Sequence, residues 1–155
     1  MAVEITIIQD SKEQKGLFKE CEVKGLKTGD YSFKTDIADY SNVFAIERKS
    51  GIDAIGTCGK GHDRFQRELE RAQGFEYFAI LIECPYRDFK AKKFPSGFRS
   101  PMPGSVAAKI WMTYHMKYNI PIFFANDRFE ARTLIKDLAH TFMRSKEKRT
   151  WDVKG

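Results

Sequence analysis

The sequence predicts an α/β domain built on a central mixed β-sheet flanked by helices. Two observations predict it. Short apolar runs rich in β-branched and aromatic residues crowd the first fifty positions, and from Ser50 onward helical periodicity alternates with apolar runs. A chain of 155 residues with 42% hydrophobic and 31% charged residues has the size and balance of one domain.

Val3-Glu4-Ile5-Thr6-Ile7-Ile8 alternates and then fills with β-branched residues, a strand that ends at Asp10. Cys21–Leu26 is a weaker strand candidate, and Thr28-Gly29-Asp30 is turn chemistry before an extended Tyr31-Ser32-Phe33. Val43–Lys49 is a further strand, so the early strands are expected to form a meander. Ser50 caps a helix with Asp53 three residues on, in a capping-box position. A glycine-rich break over 57–61 precedes a helix over 62–73 with Phe65, Leu69 and Ala72 on its apolar stripe. Phe75–Cys84 reads as a buried strand. Pro85–Gly104 holds four of the five prolines and reads as a long surface loop with some local structure. Ser105–Tyr118 is helical, Ile120–Ala125 a strand whose Pro121 puts it at an edge or at the strand's start, and Arg128–Arg144 a last helix. One domain over 1–145 and a loose, charged tail over 146–155 are expected.

Composition excludes several classes. The net charge of +6, with pI near 9.2, favours an anionic partner. Three well-separated cysteines, Cys21, Cys58 and Cys84, make neither a disulfide framework nor a zinc knuckle and suit a reducing, intracellular setting. No signal peptide is visible at the start, and the longest apolar run is too short to span a membrane.

The informative spacing is Asp30, sixteen residues, then Glu47-Arg48-Lys49. On a strand Glu47 and Lys49 share one face while Arg48 points to the other. If the strand after Asp30 pairs with this one, two carboxylates converge on an oxygen site suited to Mg²⁺ or Mn²⁺, with a lysine beside it. That equipment serves phosphodiester hydrolysis. By spacing alone, a solvated strand edge explains the same residues.

The motifs decide between the two. Glu47-Arg48-Lys49-Ser50-Gly51-Ile52-Asp53 fits E-R-K-x-x-x-D, Gly29-Asp30-Tyr31 fits G-D-Y, and Asp10-Ser11-Lys12-Glu13 is similar to D-S-R-E with lysine for arginine. In this order they resemble the XPF-type (ERCC4 domain) structure-specific endonucleases, and the compact layout is most like the short bacterial and phage members. The resemblance continues through Arg64, the Ile80-Leu81-Ile82-Glu83 strand end and the Ser105-Val106 helix start. It implies a restriction-endonuclease-like PD-(D/E)xK fold of three layers and a Mg²⁺- or Mn²⁺-dependent cut of flapped, forked or four-way DNA. It implies Asp30 and Glu47 as metal ligands with the Arg48 backbone carbonyl, Lys49 as catalytic lysine, and Asp10 and Asp53 as supporting acids. Arg64 would face the site or the DNA, and Lys90, Lys92, Lys93 and Arg99 would form a DNA-backbone loop; the tail cations Lys146, Lys148 and Arg149 read as solvated charge that could add phosphate contacts. A homodimer through the 105–118 and 128–144 helices, or an accessory partner that reads the branch, is expected, because no helix–hairpin–helix signature appears.

Alternatives stay open. Asp53 can be only a capping partner and Asp10 only a turn residue. Glu68, where the family has glutamine, either adds charge beside the site or pairs along its helix with Arg64 or Arg71. His62 reads as a surface cap, and Trp111, Tyr114 and Tyr118 as a core or interface stripe rather than a stacking platform. A catalytically silent DNA-structure-binding or docking module on the same fold is the competing function.

Overall fold

The computed structural model describes residues 3–94 and 100–148. Six strands form one sheet: β1 (Thr6–Asp10), β2 (Glu22–Lys24), β3 (Tyr31–Lys34), β4 (Phe44–Ser50), β5 (Tyr77–Glu83) and β6 (Ile122–Ala125). Their order is β2-β1-β3-β4-β5-β6. β3 runs antiparallel to β1 and to β4, whereas β4, β5 and β6 are mutually parallel neighbours. A parallel trio must be covered on both faces, and five consecutive residues of β5, Phe78 to Ile82, are accordingly buried.

Alternation along β4 divides the core. Ala45 packs with Ile80 and Ile82 beneath α1 (Gly51–Cys58), α2 (His62–Ala72) and α4 (Gly104–Tyr118). Phe44 and Ile46 face the other way, with Leu81, onto Ala131, Ile135, Ala139 and Met143 of α5 (Arg128–Lys146). The result is three layers, helices–sheet–helix. Trp111 and Tyr114 lie in the first core, so the aromatic stripe is interior packing.

The structure corrects one sequence expectation and gives detail to two others. The early strands do not form a simple meander: β2 crosses to the outer edge and pairs in parallel with β1. Its three residues, with Val23 exposed, offered too little pattern to place it. The local structure expected after Pro85 is a short helix, α3 (Tyr86–Ala91), that buries Phe89 and ends at Lys92 in the left-handed region. Six residues give no helical period to read. Gly104 then starts α4 so close to α3 that a Cβ would overlap the Lys90 carbonyl oxygen.

The last detail concerns residues 146–148, the described start of the expected tail. α5 continues to Lys146, and Glu147 is buried, accepting hydrogen bonds from the Tyr40 hydroxyl (2.5 Å) and Thr35 Oγ1 (2.8 Å). These partners are more than a hundred residues away in the chain, which no local pattern reveals. Removing a buried carboxylate that accepts from two hydroxyls forfeits both hydrogen bonds. Glu147→Ala should therefore lower stability by about 1–3 kcal/mol, read as a reduced urea midpoint; an unchanged midpoint would refute this latch.

Candidate active site

A pocket of about 570 Å³ opens where β4 ends, between the start of β3 and helices α1 and α2. Gly29, just before Asp30, has a φ of 79° that favours glycine, and a Cβ there would stand 3.0 Å from Ala45 Cβ and 3.2 Å from Ile46 O. Asp30 follows with its backbone N–H donating to Ile46 O (2.9 Å), while its Oδ2 accepts the Arg48 N–H at 2.7 Å. The carboxylate thus extends the β3–β4 ladder past the last paired residues.

Glu47 and Lys49 share the α1/α2 face of β4, and both line the same pocket as Asp30. Lys49 Nζ lies 3.7 Å from Glu47 Oε2 and 4.7 Å above the Phe65 ring. Arg48 points to the opposite face, as alternation requires. Its Nε and Nη2 both meet Glu83 Oε1, at 3.0 and 2.9 Å, and its Nη1 lies 3.6 Å from Glu13 Oε2.

Burial is the main force on the two acids. It pushes the Asp30 carboxyl up, against the Arg48 N–H bond that favours the charged form, and Glu13 adds repulsion. It pushes Glu47 up as well; the Asp30 charge adds to the rise, Lys49 opposes it, and Glu68 and Glu13 reinforce it. Two buried carboxylates held in this way favour a cation between them.

The donor set suits a hard divalent ion. Glu13 Oε2 is buried and has no hydrogen-bond partner among the described residues. Among those residues no three His, Cys, Asp or Glu side chains gather into a cage. Asp30 and Glu47 would thus supply two oxygens, the mode in which Mg²⁺ is held by one or two carboxylates, water and substrate phosphate.

The other expected site residues divide. Asp53 and Arg64 line the pocket. Ser50 caps α1, its Oγ accepting the Asp53 N–H at 3.1 Å, so Asp53 is a partner in the cap as well as part of the pocket lining. Glu68 faces the pocket, in keeping with the first of its two readings. Asp10 stands behind Asp30 and does not line the pocket; its carboxylate accepts the N–H groups of Leu26 (2.8 Å) and Lys12 (3.3 Å). Its turn-forming role is visible, and its N–H donates to Asp30 O at 2.8 Å.

Lys92 is not available to a phosphate in this structure: its ammonium donates to the Ser100 and Met102 carbonyls, tying the chain after α3 together. Lys90 is exposed, over the Tyr86 ring at 5.7 Å, and Lys93 is exposed in a neighbouring groove beside Ser50 and Glu83. Arg99 and Arg149 lie outside the described residues. Lys146 pairs with Glu76 at 2.7 Å, and Lys148 is exposed. His62 is more than a surface cap, since its Nδ1 meets the Tyr114 hydroxyl at 2.6 Å.

Sequence reasoning gave Glu13 no role, although the structure turns it into the pocket. The available signal was the D-S-x-E spacing, in which Glu13 sits three residues after Asp10.

Comparison with known proteins agrees with this architecture. XPF from Aeropyrum pernix is similar with a TM-score of 0.66 and 18% identity, covering 92% of this chain and 62% of that one. XPF from Aeropyrum pernix in complex with DNA gives a TM-score of 0.67 and 17% identity, covering 95% and 69%. Identity at this level shows the shared fold, and the chain spans under two thirds of the first structure's length. A comparison with curated proteins returned no match. The family model described as ERCC4 domain matches residues 3–138, which contain β1 through most of α5 and every residue of the pocket; the chain belongs to the ERCC4 domain family.

Proposed function

We propose that this protein is a Mg²⁺- or Mn²⁺-dependent DNA endonuclease that acts on branched or flapped DNA: flap, fork or four-way junction. The observation that carries the reading is the convergence of Asp30, Glu47 and Lys49 in one open pocket at the end of β4. Asp30 and Glu47, with the Arg48 carbonyl, would hold the cation. When bound, such an ion neutralises charge on the scissile phosphate and makes water a nucleophile near neutral pH. Lys49 orients the attacking water and balances charge on the phosphate oxygens. Attack in line with the 3′ oxygen breaks the P–O3′ bond and leaves a 5′-phosphate and a 3′-hydroxyl. Asp53 and Glu13 supply negative charge at the rim, and Asp10 holds the turn behind Asp30. Arg64, Lys90 and Lys93 follow the DNA backbone, with Arg99 retained as a candidate, whereas Lys92 serves the fold.

Cleavage of end-labelled flap, fork, junction, duplex and single-stranded DNA tests this reading. Lys49→Ala and Glu47→Gln should each slow single-turnover cutting by about 10²-fold or more, within the range for a lost proton-handling group. Chelation by EDTA should stop it. Affinity for DNA should fall steeply with salt and show little base preference. Tight binding with no cutting in either metal would move the assignment to the silent docking module. Cutting that appears only with an added protein would identify the branch-reading partner.

A homodimer through α4 is part of the proposal. Met112 and Met116 are exposed on α4 beside β6, which pairs on one side only, with β5. Tyr86, Ile122 and Phe124 continue this apolar surface. The apolar side of α5 is spent on its own core, so α4 carries the contact. Equilibrium sedimentation at micromolar concentration should give twice the mass of one chain, and Met116→Glu should halve it; a single-chain mass for the unaltered protein would refute the dimer. We place the protein inside cells, a reading supported by its free cysteines. Among the described residues no helix is long and apolar enough to cross a membrane.

A further inference from the structure

The Lys49 ammonium reaches the pocket from a side chain with only 15% of its surface exposed, and its position is set by two neighbours. Glu47 Oε2 at 3.7 Å is beyond hydrogen-bond length. The face of the Phe65 ring is at 4.7 Å, well within cation–π range. Phe65 is 4% exposed in the first turn of α2. It stands edge-to-face on Trp111 (5.3 Å) and Tyr114 (5.6 Å). Both supports are pinned by hydrogen bonds: Trp111 Nε1 donates to Ala54 O of α1 at 3.0 Å, and the Tyr114 hydroxyl meets His62 at 2.6 Å. A packed aromatic cluster spanning α1, α2 and α4 therefore ends in a ring face presented to a single cation.

We propose that Phe65 is a positioning residue whose π-face, and not merely its bulk, holds the Lys49 ammonium over the pocket. An aromatic face suits this task better than a carboxylate would. It attracts the cation without taking any of its three N–H donors in a hydrogen bond, so all three remain for water and phosphate oxygen. A carboxylate at bonding distance would occupy donors and add negative charge where DNA phosphate must enter. Of the acids around the pocket, Glu47 is held at 3.7 Å from the ammonium, close enough to attract it and too far to bind it. The inference rests on Lys49 as the residue that meets the water or phosphate.

Two substitutions separate ring electronics from packing. Phe65→Leu removes the face, and 3,4,5-trifluorophenylalanine placed at position 65 keeps the ring's shape while withdrawing electron density from its face. The first readout is the NMR shift of the Lys49 ε-methylene, identified by its disappearance in Lys49→Arg. In the unaltered protein it should lie upfield of the other lysines, and both substitutions should move it toward them. The second readout is single-turnover cleavage, which both should slow by about threefold to thirtyfold, the span set by cation–π strengths from exposed to desolvated, with DNA affinity unchanged. Fluorinated protein that behaves as the unaltered one in both readouts would overturn the proposal, whether or not Phe65→Leu is impaired, because packing would then account for everything. Should the unaltered protein cut no DNA, the nuclease reading fails while the methylene shift still decides where Lys49 is held.

Discussion

The hydrogen bond from the Arg48 N–H to Asp30 Oδ2 is the constraint on which the site depends. It fixes an acid that belongs to a turn against a strand that belongs to the parallel core. β3 and β4 are otherwise joined through a short register around Tyr31 and Ile46. Beyond that register the chains would diverge, and the side-chain oxygen does what a backbone carbonyl would do in a longer ladder. The same bond leaves Oδ1 of Asp30 for the pocket. Because β4 is also paired along its whole length with β5, the frame on which Glu47 and Lys49 stand is the best-supported strand of the sheet.

Charge is arranged around that frame in two tiers. On the pocket side, burial pushes Asp30 and Glu47 toward the protonated form, the Asp30 charge adds to the rise at Glu47, and Lys49 opposes it at both. Arg48 collects Glu83 on the opposite face and Glu13, which also lines the pocket, joining the end of β5 to the segment after β1. Consecutive residues of one strand thus perform unlike tasks because the pleat sends them to opposite faces. A shift of one residue in register would exchange those faces and bury the guanidinium where the pocket acids now lie.

Much of this was legible in the sequence. Alternation in Phe44-Ala45-Ile46-Glu47-Arg48-Lys49 gave both the strand and the facing of its polar end, and Gly29-Asp30 ahead of Tyr31-Ser32-Phe33 gave the partner turn. Ser50 was readable as a cap because its role is local. What escaped was decided by distant or very short elements. α3 has too few residues for a period, and Lys92 read as a DNA-backbone contact because its acceptors, the Ser100 and Met102 carbonyls, belong to a loop whose path the sequence does not specify. Glu13 was quoted for its motif and overlooked for its chemistry, since its proximity to Asp30 exists only after β1 and β3 pair.

The Glu147 latch has a consequence for how the chain reaches this fold. Its hydrogen bonds join residues separated by 107 and 112 positions, and they fasten α5 over β3, an early-made strand. Loop-closure entropy makes such a contact late, and topology of this kind slows folding relative to helical bundles. During synthesis, the α5 face of the sheet, including Phe33, Phe44 and Leu81, stays uncovered until residues near 147 have emerged. For that interval the nascent chain carries an apolar sheet face with no lid, open to chaperones or to mispairing.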